Sequence, residues 1–313
     1  MTPQGEPAIV FENVRKRYDS TEALAGLSLT VERGTMFGLI GPDGAGKTTT
    51  IRLACGLLHA DGGRIRVLGM DPVKDHRKLT RSVGYLSQRF SLYGDLSVDE
   101  NIAFFAEIHG MTDYRARRDR LLDMTQLTTF RDRLADRLSG GMKQKLALAC
   151  TLVHEPDLIV LDEPTTGVDP VSRREFWMLL SEFLSHGITI VMATPYLDEA
   201  ERCSRVALLH QGRLLACESP ARLRASLPGE IIEVIAQPPE SVTGVLTHLP
   251  GITDVQMFGE RAHVRLDQAD AAAVDRLRAA IGQAGLTIVS LRQIPTSLED
   301  VFITRLTGDE PHS

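Results

Sequence analysis

The stretch Gly41-Pro42-Asp43-Gly44-Ala45-Gly46-Lys47-Thr48, followed by Thr49 and Thr50, fits G-x-x-x-x-G-K-[ST], the phosphate-binding loop. Glycines at 41, 44 and 46 let successive backbone N–H groups turn inward around an anion with no Cβ in the way. A helix beginning near Lys47 adds the positive end of its dipole. Lys47 has the reach for the β- and γ-phosphates, and the Thr48 hydroxyl has the chemistry of a Mg²⁺ ligand. The preceding Met36-Phe37-Gly38-Leu39-Ile40 is a short apolar run, the pattern of a buried strand feeding the loop. The chain is therefore expected to bind a nucleoside triphosphate.

At 313 residues the chain has room for about two domains, and 43% hydrophobic residues suffice for a core in each. The net charge of −6 supplies no basic field, which argues against a nucleic-acid partner. Cys55, Cys150, Cys203 and Cys217 are scattered and form no C-x-x-C pair, so they read as reduced cytosolic thiols. Met1 to Val10 lacks the basic-then-apolar order of a signal peptide, and no apolar run approaches bilayer-spanning length. Work at a membrane would need a partner to supply the spanning part.

Along the chain, Ala8–Glu12 and Leu27–Val31 read as strands, with a turn at Asp19-Ser20. The helix after the phosphate loop is expected to continue through Leu58, and Arg64–Leu68 and Val83–Gln88 are further strands. From Ser97 to about Cys150 the pattern is helical. Leu158–Leu161 and Ile188–Ala193 read as core strands around a helix near Ser172–His186. Gln211-Gly212 between two apolar runs signals a hairpin. A boundary is expected near Leu227-Pro228-Gly229, dividing a domain at 1–228 from one at 229–313. Beyond it the order βαββαβ, from Ile231 to Leu291, suggests a small α+β domain of ferredoxin-like type.

Companions of the loop narrow the chemistry. Asp162 ends an apolar strand, where a carboxylate holds Mg²⁺ directly or through water. Glu163 follows and, by strand alternation, is expected to point the opposite way, placed to take a proton from an attacking water. Leu138-Ser139-Gly140-Gly141-Met142-Lys143-Gln144 opens a helix and forms a second anion-binding nest by the same logic as the first. Two nests about ninety residues apart do not easily serve one phosphate group in one compact domain. They make sense if two chains each lend one nest to a shared nucleotide.

With Leu138–Gln144 in view, the chain resembles the ATP-binding cassette (ABC) family, specifically the nucleotide-binding subunits of bacterial ABC-2 type exporters. The resemblance runs from about residue 8 to 227 and extends to Pro295-Thr296-Ser297-Leu298-Glu299-Asp300-Val301-Phe302, which looks like the closing motif of that exporter subgroup. It implies an α/β P-loop NTPase cassette with a helical subdomain at about 89–150 that grips a membrane subunit. It implies ATP and Mg²⁺ as ligands, with Tyr18 stacked on adenine and the loop from Gly41 to Thr49 around the phosphates. Gln88 would sense the γ-phosphate and Mg²⁺, Glu163 would act as base, and Asp169 would act across a dimer. Ser139, Gly140 and Gly141 would bind the nucleotide of the opposite chain. The implied partners are ABC-2 type membrane permease subunits and a second cassette, on the inner face of the cell membrane.

Two positions depart from the family's pattern. Asp43 stands where asparagine is usual, and both are good turn formers. Pro195 stands where a histidine contacts the γ-phosphate, and proline has neither a side-chain donor nor a backbone N–H. His186, nine residues back along an extended strand, is about 30 Å away at roughly 3.3 Å per residue. His59, His76, His109, His154 and His210 have no motif context. Impaired hydrolysis at this chain's own loop is the expectation, and with it a heterodimer with a complete cassette. The rival readings are a soluble cassette protein with no role in transport and a nucleotide-gated subunit that hardly hydrolyses.

Overall fold

Apolar runs too uniform to alternate form the centre of the first unit, as parallel strands buried on both faces must. The computed structural model describes residues 5–88 and 91–309. The chain opens with β1 (Ile9–Tyr18), β2 (Thr21–Val31), β3 (Met36–Ile40), α1 (Lys47–Ala54), β4 (Gly62–Val67), α2 (His76–Leu79) and β5 (Val83–Leu86). Then come α3 (Val98–Ile108), α4 (Arg115–Met124), α5 (Gly140–Leu152), β6 (Leu158–Asp162), α6 (Pro170–Ser185), β7 (Thr189–Thr194), α7 (Leu197–Ala200), β8 (Arg205–His210) and β9 (Arg213–Glu218). One sheet has the order β5-β6-β7-β3-β8-β9, parallel through β8 and antiparallel at β9. A second, antiparallel sheet has the order β2-β1-β4. Phe11 and Leu29 of the antiparallel sheet, Phe37 and Val160 of the parallel one, and Ile51 of α1 share one core cluster. The phosphate-loop helix is thus anchored in both sheets.

Several elements differ from their sequence reading, each for a local reason. α1 stops at Ala54 rather than Leu58, because Gly56 takes a left-handed backbone (φ 68°) that closes the helix. The stretch from Ser97 to Cys150 is three α-helices with 3₁₀ turns between α4 and α5. α3 begins at a capping box in which the Ser97 hydroxyl accepts from Glu100 N while Glu100 accepts from Ser97 N. Arg89, the expected first residue of the helical subdomain, lies outside the described residues. At the β8–β9 hairpin, Gln211 and Gly212 both have positive φ, as a two-residue loop with the strands' twist requires.

The two compact units part between Ser219 and Pro220, upstream of the Leu227-Pro228-Gly229 turn. The second unit runs α8 (Pro220–Ala225), β10 (Glu230–Gln237), α9 (Val242–Leu246), β11 (Ile252–Phe258), β12 (Arg261–Leu266), α10 (Ala271–Gln283), β13 (Thr287–Ile294) and α11 (Leu298–Asp309). The parting falls early because α8 packs on α11, which follows the last strand. Its antiparallel sheet, ordered β11-β12-β10-β13, with α9 and α10 sharing an apolar core with it, is the ferredoxin-like arrangement. Asp300 accepts from Ser297 N at 2.8 Å, capping α11, and lies 2.6 Å from His263 Nδ1 on β12.

Candidate nucleotide site

In a parallel sheet every strand delivers its C-terminal end to one edge, where ligands of such folds bind. Here β3 delivers Gly41–Thr48, β6 delivers Asp162 and Glu163, β5 delivers Gln88, and β7 delivers Pro195. Gly46 is the N-cap of α1, so the helix begins at Lys47 as the motif predicts. Lys47, only 4% exposed, donates from Nζ to the carbonyls of Gly41 (2.8 Å) and Pro42 (3.1 Å). Its ammonium also lies 3.7 Å from Glu163 Oε1. Gln88 Nε2 donates to Glu163 Oε2 at 3.0 Å, and Thr48 Oγ1 donates to Asp162 Oδ1 at 3.0 Å.

Glu163 corrects one expectation. Strand alternation would send its carboxylate away from that of Asp162, yet both carboxylates meet the same Lys47-Thr48 pair. The cause is a left-handed backbone at Glu163 (φ 49°), which breaks the alternation directly after β6. Its N–H donates to Ala193 O at 2.9 Å, tying the turned peptide to β7. A non-glycine residue in this region costs about 1–3 kcal/mol and persists only where its surroundings hold it.

Burial pushes the Asp162 carboxyl above the ordinary carboxylate range; the Thr48 hydroxyl opposes this and the Glu163 charge adds to it. A buried carboxylate that resists ionisation, beside a hydroxyl, fits a divalent cation that would restore its charge. Among the described residues no three His, Cys, Asp or Glu side chains form a metal cluster. Thr48, Asp162 and Gln88 are the residues that would hold such a cation, each carrying a side-chain oxygen of the kind Mg²⁺ takes.

Tyr18 ends β1, is 42% exposed and has the Lys16 ammonium 5.6 Å from its ring centroid. The β1–β2 hairpin runs beside the phosphate loop, since a Cβ at Gly46 would lie 2.7 Å from Ala23 O. Ser139 is the N-cap of α5, accepting from Met142 N at 3.3 Å, and Ser139 and Gly140 are exposed. Among the described residues no hydrogen bond or ion pair joins Ser139–Gly141 to Gly41–Thr49, so the two nests stay separate within the chain. Asp169 caps α6 through Val171 N and Ser172 N. The turn after β7 has Tyr196 N donating to Thr194 Oγ1 at 3.0 Å. His186 caps the C-terminus of α6, with the whole of β7 between it and Pro195.

Three buried polar side chains went unassigned in the sequence reading. Gln144 of α5 donates from Nε2 to Pro164 O, and Thr165 Oγ1 donates to Glu199 Oε1 of α7. Gln144 lies inside the quoted Leu138–Gln144 stretch; Thr165 and Glu199 carry no motif of their own.

Residues 24–166 match the ABC transporter family, and residues 219–305 match the C-terminal domain of ATP-binding proteins like DrrA1-3. The chain is 39% identical over 96% of its length to 97% of the Nod factor export ATP-binding protein I of Burkholderia pseudomallei strain 1710b. It belongs to the ABC transporter family. The probable multidrug ABC transporter ATP-binding protein YbhF of Escherichia coli K12 is 40% identical over 97% of the chain. This ABC chain spans about half the length of that relative (53%). The daunorubicin resistance ATP-binding protein DrrA3 of Streptomyces coeruleorubidus is 34% identical over 97% of both chains. The ATP-binding subunit of an ABC transporter, a solved structure, superposes with a TM-score of 0.64 at 29% identity, covering 70% of this chain and 92% of that one. A dimeric post-hydrolysis cassette, MJ0796 with ADP and Pi, has a TM-score of 0.62 at 25% identity over 67% of this chain and 98% of that one.

Proposed function

We propose that this chain is the ATP-binding and ATP-hydrolysing subunit of an ABC-2 type efflux transporter, working on separate membrane permease subunits. The carrying observation is the convergence of Lys47, Thr48, Gln88, Asp162 and Glu163 at one sheet edge. Backbone N–H groups of Gly41–Thr49 cradle the phosphates, and Tyr18 stacks on the adenine. Lys47 leaves its loop carbonyls and Glu163 for the β- and γ-phosphates. Mg²⁺, when bound with the nucleotide, neutralises developing phosphate charge, with Thr48, Asp162 and Gln88 as its protein neighbours. Glu163 takes the proton of the attacking water, and Gln88, donating to that carboxylate, orients it.

Export is supported by the names of the relatives, which concern Nod factor export, daunorubicin resistance and probable multidrug transport. No helix among the described residues is long and apolar enough to cross a membrane, which accords with a peripheral subunit on the membrane's inner face. The helical segment α3–α5 is the proposed grip on the permease. Ser139 and Gly140, exposed and with Gly141 separate from the chain's own loop, complete the site of a second cassette. Pro195 favours a heterodimer in which that second cassette brings the histidine missing here.

The nucleotide reading is tested by binding of a fluorescent ATP analogue to the wild type and to Lys47→Ala. Loss of the ammonium is expected to lower affinity at least tenfold, as on the order of 1.5–3 kcal/mol for a charge-assisted contact implies. Unchanged affinity would remove Lys47 from the phosphate site.

A further inference from the structure

The backbone after Glu163 is held from two sides by side chains from outside the phosphate loop. On one side Gln144, with none of its surface exposed, donates to Pro164 O. On the other, Thr165 Oγ1 donates to Glu199, and both residues are 1% exposed. Gln144 comes from α5, directly behind the Ser139–Gly141 nest, and Glu199 from α7, directly behind Pro195. Neither contact is explained by surface solvation, and neither belongs to a secondary-structure ladder. What they bracket is the turned backbone of Glu163, whose own N–H is already spent on Ala193 O. A left-handed glutamate needs such over-determination, because relaxing it would restore strand alternation and swing the carboxylate away from Lys47 and Gln88.

We propose that Thr165 and Glu199, backed by Gln144, are positioning residues for Glu163, holding its carboxylate in the geometry that takes the water's proton. Thr165 fixes the peptide that follows Glu163, and Glu199 fixes Thr165 by accepting its hydroxyl proton. The contact needs an acceptor at Glu199 and a hydroxyl at residue 165, not a charge, so glutamine and serine satisfy it. Gln144 also ties Pro164 to α5, the helix that the nest opens, and α5 lies close against the start of α6, since a Cβ at Gly141 would lie 2.1 Å from Ser172 Oγ.

The inference rests on Glu163 as the base, and the experiment separates the two ideas. Single-turnover hydrolysis of radiolabelled MgATP is measured with the full chain, alongside the Kd for MgATP. Thr165→Val and Glu199→Leu are expected to slow hydrolysis about ten- to a hundredfold, since small misplacements of a reacting group cost that much. Kd should stay within about twofold, because the phosphate loop is untouched. Thr165→Ser and Glu199→Gln should restore the wild-type rate to within about twofold. In a Glu163→Gln background, adding Thr165→Val should slow the reaction no further, the sign of a residue that acts through Glu163. Wild-type hydrolysis by Thr165→Val, or the same fold loss with and without Glu163, overturns the proposal. If Thr165→Val does not fold, Gln144→Leu takes the same measurements with the same expected losses. Wild-type hydrolysis by Glu163→Gln alone would instead sink the role of Glu163 as base.

Discussion

Burial and the adjacent Glu163 charge both raise the proton affinity of Asp162, so its ionised form is held at a cost that a bound cation would offset. The same group sets a pH dependence. Its folded-state pKa lies above the ordinary 3.8, so as pH falls through the raised value the native state takes up a proton before the unfolded chain does. That one group therefore favours the fold as pH drops through the window and weighs against it at neutral pH. Asp162→Asn keeps an oxygen for the Thr48 hydroxyl while removing the buried charge. We expect it to leave the chain, assayed without nucleotide, as stable as wild type or up to about 1 kcal/mol more so, while abolishing Mg²⁺-dependent ATP hydrolysis. Urea unfolding and steady-state ATPase assays check the two halves; a destabilised Asp162→Asn would contradict the charge argument. The phosphate-loop residues were legible in the sequence because their task is set by backbone geometry within eight consecutive positions. Thr165 and Glu199 were not, since their role comes from a contact between residues 34 apart in sequence. Pattern gives no warning of it.

At the scale of elements, periodicity located nearly every strand and helix, and their ends were decided by single residues. Gly56 stops α1, and Ser97 with Glu100 starts α3; the S-x-x-E pattern there was available as a signal. The left-handed turn at Glu163 had no signal, because glutamate is an uncommon choice for that backbone. Pro295–Phe302, read only as a closing motif, proves to be the cap and first turn of α11. Asp300 is buried, accepts from the Ser297 N–H and hydroxyl, and meets His263. Leu298 and Val301 are buried beside it. Asp300→Ala is expected to destabilise the second unit by about 1–3 kcal/mol, by leaving buried donors without their acceptor. The single tryptophan, Trp177, lies in the first unit, so its fluorescence follows that unit alone, whereas far-UV circular dichroism follows both. The urea midpoint should fall in the dichroism of the second unit and stay constant in Trp177 fluorescence, with ATP affinity unchanged. An equal shift in both signals would mean that the two units unfold together.

For the molecule as a whole, Ser139 and Gly140 are exposed at the start of α5, and Pro195 follows directly on Thr194, the β7 residue paired with Ile40 just before the chain's own loop. In a head-to-tail pair of cassettes each nest serves the nucleotide held by the opposite chain. Two copies of this chain would therefore build two sites lacking the histidine, whereas a pair with a complete cassette would build one full site and one weakened site. A lost hydrogen bond to a charged phosphate is worth on the order of 1.5–3 kcal/mol, about ten- to a hundredfold in rate. A pump tolerates that loss at one site far better than at both, which is the reason to favour the heterodimer. Two variants of this chain, each reconstituted with the partner cassette, decide it. Ser139→Arg puts a bulky cation into the nest and should remove most of the pair's ATPase activity, because in the proposed arrangement the nest serves the partner's full site. Pro195→His should raise activity or leave it unchanged, since it adds a contact only at the weakened site. If Ser139→Arg leaves the pair fully active, or if this chain alone forms a homodimer with full, partner-independent turnover, the asymmetric arrangement is wrong.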